Sequence, residues 1–125
     1  MYVEYNPNPK RKVIVGDCVI RAISKVTGLS WKETYLELTR QGILMGDLPN
    51  ANSVWGAYLQ ERGFRQYALP DRCPLDCYTV EDFCKDNPVG TYLLATGTHA
   101  IAVIDGDYYD AFDSGQMTPL YYFKR

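Results

Sequence analysis

Apolar positions recur at helical spacing through the first half of the chain and at strand spacing through its last third. Ile20, Ala22, Ile23 and Val26 follow Gly16-Asp17-Cys18, which predicts a helix opening at residue 17 or 18 and stopped by Gly28, with Asp17 as the side-chain cap of its first amides. Ser30 and Glu33 form a Ser-x-x-Glu capping box around which Trp31, Tyr35, Leu36 and Leu38 repeat, predicting a second helix that ends at Gly42. Residues 43–51, with Gly46, Pro49 and Asn50, read as a loop. Val54, Trp55, Tyr58 and Leu59 then support a third helix from Asn52 or Ser53, closed by Gly63. Phe64 to Leu69 is a short-strand candidate. Residues 70–78, with two prolines and two cysteines, read as irregular, and Thr79 with Asp82 caps a short helix that ends before Pro88.

The remainder reads as strands. Thr91 to Ala95, His99 to Ile104, Tyr108 to Phe112 and Leu120 to Phe123 are rich in β-branched and aromatic residues, and Asp105-Gly106 between two apolar runs is the strongest hairpin signal in the chain. At the other end, Asn6-Pro7-Asn8-Pro9 biases the backbone away from helix, so residues 1–16 form an extended arm, with Val13-Ile14-Val15 as a possible short strand. Helices first and strands last predict an α+β fold, with the helices of residues 17–62 packed on one face of an antiparallel sheet formed by residues 90–125.

Composition narrows the class. With 125 residues, 46% of them hydrophobic, the chain suffices for one core and is too short for two ordinary domains, so residues 1–125 are read as a single domain. A net charge of −2 and a pI near 5.3 provide no basic field for phosphates, so nucleic acid is not an expected partner, and Lys10-Arg11-Lys12 is read as a solvated loop. The acidic balance, the lack of a basic recognition helix and the strand-rich last third argue against a helix-turn-helix regulator. No apolar run has the length of a membrane span, and no charged segment followed by an apolar stretch opens the chain, so a cytoplasmic location without membrane association is expected. In such a compartment the four cysteines are expected to be free thiols.

Two residues stand where thiol chemistry needs them. Cys18 falls in the first turn of the first helix, where unpaired amides and the partial positive charge of the helix end favour a thiolate. His99, the chain's only histidine, opens a strand and is the one imidazole available to Cys18. Asp113, across the expected hairpin, is the first candidate to orient the imidazole by accepting from Nδ1–H, with Asp110 as the alternative; on an extended strand the two point to opposite sides. The competing readings are ordinary ones: Cys18 as a small core hydrophobe and His99 as a histidine satisfied by a carbonyl. Cys73, Cys77 and Cys84 with His99 have the composition of a structural zinc set but not the spacing of a knuckle or ribbon, so no metal and no cofactor are expected.

Asp17-Cys18 leading into Val19-Ile20-Arg21-Ala22-Ile23 resembles the nucleophile helix of the papain-like cysteine peptidases that trim bacteriocin leader peptides at double-glycine sites. His99 with its apolar strand and Asp113 at the end of the next resemble their histidine and aspartate motifs. A Gly-Asp-Cys-Val-x-Arg-Ala start and the end Tyr109-Asp110-Ala111-Phe112-Asp113-Ser114 are most similar to small uncharacterised papain-like proteins of bacteria and phages. The resemblance implies a papain-like fold and a cysteine hydrolase that cleaves a peptide or amide bond of a peptide or protein substrate through a Cys-His-Asp triad. Those peptidases carry a glutamine shortly before the cysteine that helps bind the oxyanion. Here Lys12 lies six residues before Cys18 and no glutamine lies upstream, which leaves Asn6 or Asn8 as candidate second donors beside the Cys18 amide. The missing glutamine also keeps open a non-catalytic binding protein of the same fold, a phage or mobile-element factor acting on a host protein.

Overall fold

The computed structural model describes residues 1–11 and 15–125, so Lys12 and the Val13-Ile14 part of the possible strand lie outside the described residues, while Val15 stands in a bend. The described residues form an α+β fold of four helices and a six-stranded mixed sheet: β1 Tyr2–Glu4, α1 Cys18–Thr27, α2 Trp31–Met45, α3 Asn52–Glu61, β2 Arg65–Ala68, α4 Val80–Asp86, β3 Thr91–Ala95, β4 Ala100–Ile104, β5 Asp107–Asp110 and β6 Tyr121–Lys124. The strand order is β1-β5-β4-β3-β6-β2.

Local chemistry accounts for most boundaries. Gly28 closes α1 in the left-handed region, at φ 79°. Both capping boxes form: Ser30 with Glu33 at the start of α2, and Thr79 with Asp82 at the start of α4. Asp105 and Gly106 both take positive φ, at 49° and 81°, as a two-residue turn with the hand of the strand twist requires, and Ile104 pairs with Asp107 across it.

Several elements depart from expectation. Helix α2 passes through Gly42 and ends at Gly46, because the chain folds back so closely that a Cβ on Gly42 would stand 2.6 Å from the Asp47 carbonyl oxygen; this glycine serves a close approach, not a stop. The N-terminal arm contributes β1, which pairs in parallel with β5, so the sheet is mixed and not purely antiparallel. Strand β4 begins at Ala100, one residue after His99, and β5 ends at Asp110, two residues short of Phe112.

The helices also divide between the two faces of the sheet. On one side Val19, Ile23 and Val26 of α1, Leu38 of α2 and Trp55 and Leu59 of α3 bury against Leu93, Ala102 and Phe123. On the other, Val80, Phe83 and Cys84 of α4 cover Leu94, Ile101, Val103 and Tyr108. Alternation along β3 and β4 assigns neighbouring residues to opposite cores, so both faces are dry and the strands read as continuous apolar runs. Each fully buried Leu, Ile or Phe contributes about 1.5–3 kcal/mol. The contact that matters for chemistry is α1 lying against β4, which seats the first turn of the helix at the start of that strand.

In the loop at residues 70–78, Asp76 N–H donates to the Arg72 carbonyl at 3.0 Å and the chain turns back on itself. This brings the Cα atoms of Cys73 and Cys77 to 4.4 Å, and the two are joined in a disulfide. The expectation of four free thiols is therefore corrected: Cys18 and Cys84 are the free ones. No described helix is long and apolar enough to cross a membrane.

Candidate active site

Cys18 is the first residue of α1, half-buried at the edge of the helix-side core. The side chain of Asp17 makes no capping hydrogen bond, so the expected role of that carboxylate is not the one it has. Asp17 is buried and turned inward, where it pairs with the Arg21 guanidinium through Oδ1 and accepts from Trp31 Nε1 at 2.9 Å and from Asn8 Nδ2 at 3.5 Å through Oδ2. The first-turn amides of α1 are thereby not taken up by an aspartate, and the positive end of the helix stays directed at Cys18.

His99 stands immediately before β4, with its ring 12% exposed. Its Nε2 lies 2.7 Å from Asp110 Oδ2, while Cys18 and His99 line the same cavity and each shifts the titration of the other. The acid beside the histidine is thus Asp110, and the ring nitrogen it holds is Nε2, where the sequence put Asp113 first and Nδ1 as the donor. The ladder between β4 and β5 ends at Ala102 and Tyr109, so His99 and Asp110 lie just past it. Tyr109 packs on the α1 side and Tyr108 on the α4 side, so strict alternation would turn Asp110 toward α4; its carboxylate instead meets Arg21 of α1, while Asp113 turns back to Tyr108. The ring of Phe112 packs 5.1 Å from the imidazole. Asp113 is exposed, and its Oδ1 accepts from the Tyr108 hydroxyl at 2.5 Å and the Gly115 amide at 3.0 Å.

Asp110 is 2% exposed and fully engaged. Its Oδ2 receives His99 and, at 2.8 Å, the Ser114 hydroxyl; its Oδ1 receives the Ala111 amide at 2.7 Å and Arg21 Nη2 at 3.3 Å. Burial pushes this carboxyl up, but the hydrogen bond and charge of His99, with Ser114 and Ala111, outweigh it and hold the group below the usual range. For His99, burial works against the proton, while the bonds to Asp110 and then Cys18 raise it to about 9. For Cys18, burial raises the thiol, and the His99 bond, the Ala100 amide, the imidazolium charge and Arg21 bring it net downward. The three directions agree in sign: each favours the charged form of its group, a thiolate, an imidazolium and a carboxylate.

A cavity of about 350 Å3 opens over Cys18 and His99. Its other walls come from Gly16, the Asn50–Asn52 turn, Trp55, the Gly97-Thr98 loop and Tyr121, and none of these is charged. Asn6 and Asn8 do not line it. The Asn8 carboxamide is committed to Asp17 and, through Oδ1, to the Lys10 amide at 2.9 Å, while Asn6 Oδ1 accepts from the Asn8 amide at 3.2 Å. The asparagines at the cavity are Asn50 and Asn52, the latter bonded to the Gly97 carbonyl at 3.4 Å and to Trp55 Nε1 at 3.0 Å. Their proximity to Cys18 depends on how α3 packs against the sheet and has no local sequence signature. Cys84 lies on the other face of the sheet, 5% exposed, with burial pushing its thiol up to about 11. Among the described residues no group of three or more His, Cys, Asp and Glu is arranged to hold a metal ion.

No protein-family model, no curated protein and no solved structure matches the chain.

Proposed function

We propose that the chain is a papain-like cysteine hydrolase that cleaves a peptide or amide bond through a thioester acyl-enzyme. The observation that carries this reading is the convergence of Cys18, at the first residue of α1, and His99, paired to Asp110 at 2.7 Å, on the wall of one open cavity. In the reaction the Cys18 thiolate attacks the carbonyl carbon, and the oxyanion forms near the start of α1, where the Cys18 amide donates. The C–N bond breaks as the His99 imidazolium gives its proton to the leaving amine. The neutral ring then takes a proton from water, whose oxygen attacks the thioester and returns the sulfur as thiolate paired with imidazolium. Asp110 keeps the ring oriented and stabilises its charged form.

The uncharged cavity wall supports an uncharged group at the scissile position, since a desolvated charge would find no counter-charge there apart from the reacting pair. The commitment of Asn8 to Asp17 favours a second reading, a binding protein of the same fold that uses the cleft without turnover.

The test is alkylation of the native protein by iodoacetamide at neutral pH. Cys18 is expected to be labelled while Cys84 is not, and His99→Ala is expected to slow Cys18 labelling by at least about tenfold, the equivalent of one pKa unit. Labelling of Cys18 that is slow and indifferent to His99 would remove the hydrolase reading. Where a biological activity is in hand, Cys18→Ser abolishes it for the hydrolase and spares it for the binder.

A further inference from the structure

We propose that Arg21 is the positioning residue of this site, its guanidinium fastening the carboxylate that orients His99 to the helix that carries Cys18. The inference rests on the hydrolase reading and deepens it. Arg21 lies three residues after Cys18 on α1, hence on the same face of the helix, and is 5% exposed. Its two terminal nitrogens go to different acids: Nη1 to Asp17 and Nη2 to Asp110 Oδ1 at 3.3 Å. Asp17 is itself anchored by Trp31 at the start of α2. One connected path therefore runs from Trp31 through Asp17, Arg21, Asp110 and His99 to Cys18, and it couples the end of β5 to two helices.

The way Asp110 is held makes this coupling matter. Of its four donors, the Ala111 amide and the Ser114 hydroxyl come from the segment just after it and move with it, and His99 is the group to be oriented. Arg21 is the remaining donor, and it belongs to the nucleophile's helix. Without its fork, the acid is linked to the helix bearing the sulfur only through the histidine that it has to orient. A lysine keeps the charge but has no planar pair of terminal nitrogens to span two carboxylates, so it separates position from charge. A buried ion triad of this kind is weak evidence for stability, since apolar replacements often fold as well, which directs attention to geometry.

The groups that face the pair are few. From α1 these are Arg21 alone and from the preceding segment Asp17, while Asp110 comes from the strand end. Lys25, a turn further along α1, stands over the rings of Tyr109 and Tyr5 at 4.3 and 5.2 Å, and the Tyr2 hydroxyl donates to the Asp110 backbone carbonyl at 3.2 Å.

The experiment uses the full chain with Arg21→Lys, its fold checked by near-ultraviolet circular dichroism. Two readouts follow pH: the NMR titration of the single histidine, and the iodoacetamide alkylation rate of Cys18. Arg21→Lys is expected to lower the His99 midpoint from about 9 by at least about one unit and to slow Cys18 alkylation on the acid limb about tenfold. A variant that titrates and alkylates as the wild type does would overturn the proposal and leave Arg21 as a core ion pair. Should Arg21→Lys fail to fold, Trp31→Phe removes only the donor to Asp17; a shift in the same direction, about threefold in rate, supports the path, and an unchanged profile overturns it. The two readings fail separately. Wild-type Cys18 no more reactive than Cys84 sinks the hydrolase, whereas a reactive wild type with an indifferent Arg21→Lys sinks only the role of Arg21.

Discussion

Replacing Asp110 by asparagine separates the acid at the histidine from the acid the sequence put first. The raised proton affinity of His99, from 6.5 to about 9, corresponds to about 3 kcal/mol between the imidazolium and its surroundings, at about 1.4 kcal/mol per unit. The Asp110 hydrogen bond leads the influences that favour the charged ring, ahead of Cys18. An asparagine keeps the shape, loses the charge, and sets the wrong ring tautomer if its amide nitrogen meets Nε2. In Asp110→Asn the His99 NMR midpoint is therefore expected to fall most of the way back to 6.5. Cys18 alkylation at pH 7 slows at least about tenfold, and turnover of any substrate falls by about 10³–10⁴. Because the change breaks a buried ion pair, a stability loss of about 3–5 kcal/mol is expected, so the assays belong well below the variant's unfolding temperature. The pH dependence of that loss has a fixed sign. His99 is raised, so its contribution is whole below 6.5 and disappears as pH rises through about 9; Asp110 is lowered, so its contribution is present above 3.8 and fades as pH falls below that. The gap in unfolding free energy between wild type and variant is thus widest between 3.8 and 6.5 and narrows by pH 9 in urea titrations. Asp113→Asn is the control and leaves the His99 midpoint where it was. A midpoint that stays near 9 in Asp110→Asn, or moves in Asp113→Asn, would refute the assignment.

Gly42→Ala sets helix propensity against space. The gain of about 1 kcal/mol for alanine inside a helix meets a Cβ placed 2.6 Å from the Asp47 carbonyl oxygen and 3.3 Å from the Pro49 nitrogen, both backbone atoms, so a net loss of about 1–3 kcal/mol is expected in urea denaturation, and a stabilised variant would contradict the packing. Reduction of the Cys73–Cys77 disulfide opens a loop with a separation of only four residues, for which chain entropy gives about 2 kcal/mol; the melting temperature should fall modestly while Cys18 alkylation is unchanged, because that loop does not line the cavity.

The elements were legible where local chemistry decides them. Both capping boxes, the left-handed Gly28 and the Asp105-Gly106 turn are statements about a few neighbouring residues, and each forms as read. The misreadings arose where a distant segment decides. Gly42 looks like a helix stop until the chain after the helix folds back over it. Asp17 looks like a cap until Arg21 and Trp31 offer it stronger partners than a backbone amide. The extended arm became a strand because β5 offered it an edge, and no periodicity in three residues announces a parallel pairing.

The choice between Asp110 and Asp113 was likewise decided beyond the local pattern. A two-residue Asp-Gly turn makes residues 104 and 107 partners, and an antiparallel ladder then conserves the sum of partner positions along its length. Carried past its end, that ladder would put His99 and Asp110 on the face of Ile101 and Tyr108, the α4 side, away from Cys18 and Arg21, so alternation alone does not select Asp110. What the hairpin cannot supply is the bend after Asp110, where the chain leaves the sheet, Ser114 turns back onto the carboxylate and Asp113 turns to Tyr108. The guanidinium from α1 and the bend that follows β5 select the acid and hold it in place. The site is therefore a product of one turn type, one helix start and one buried cation, drawn from three separate stretches of the chain.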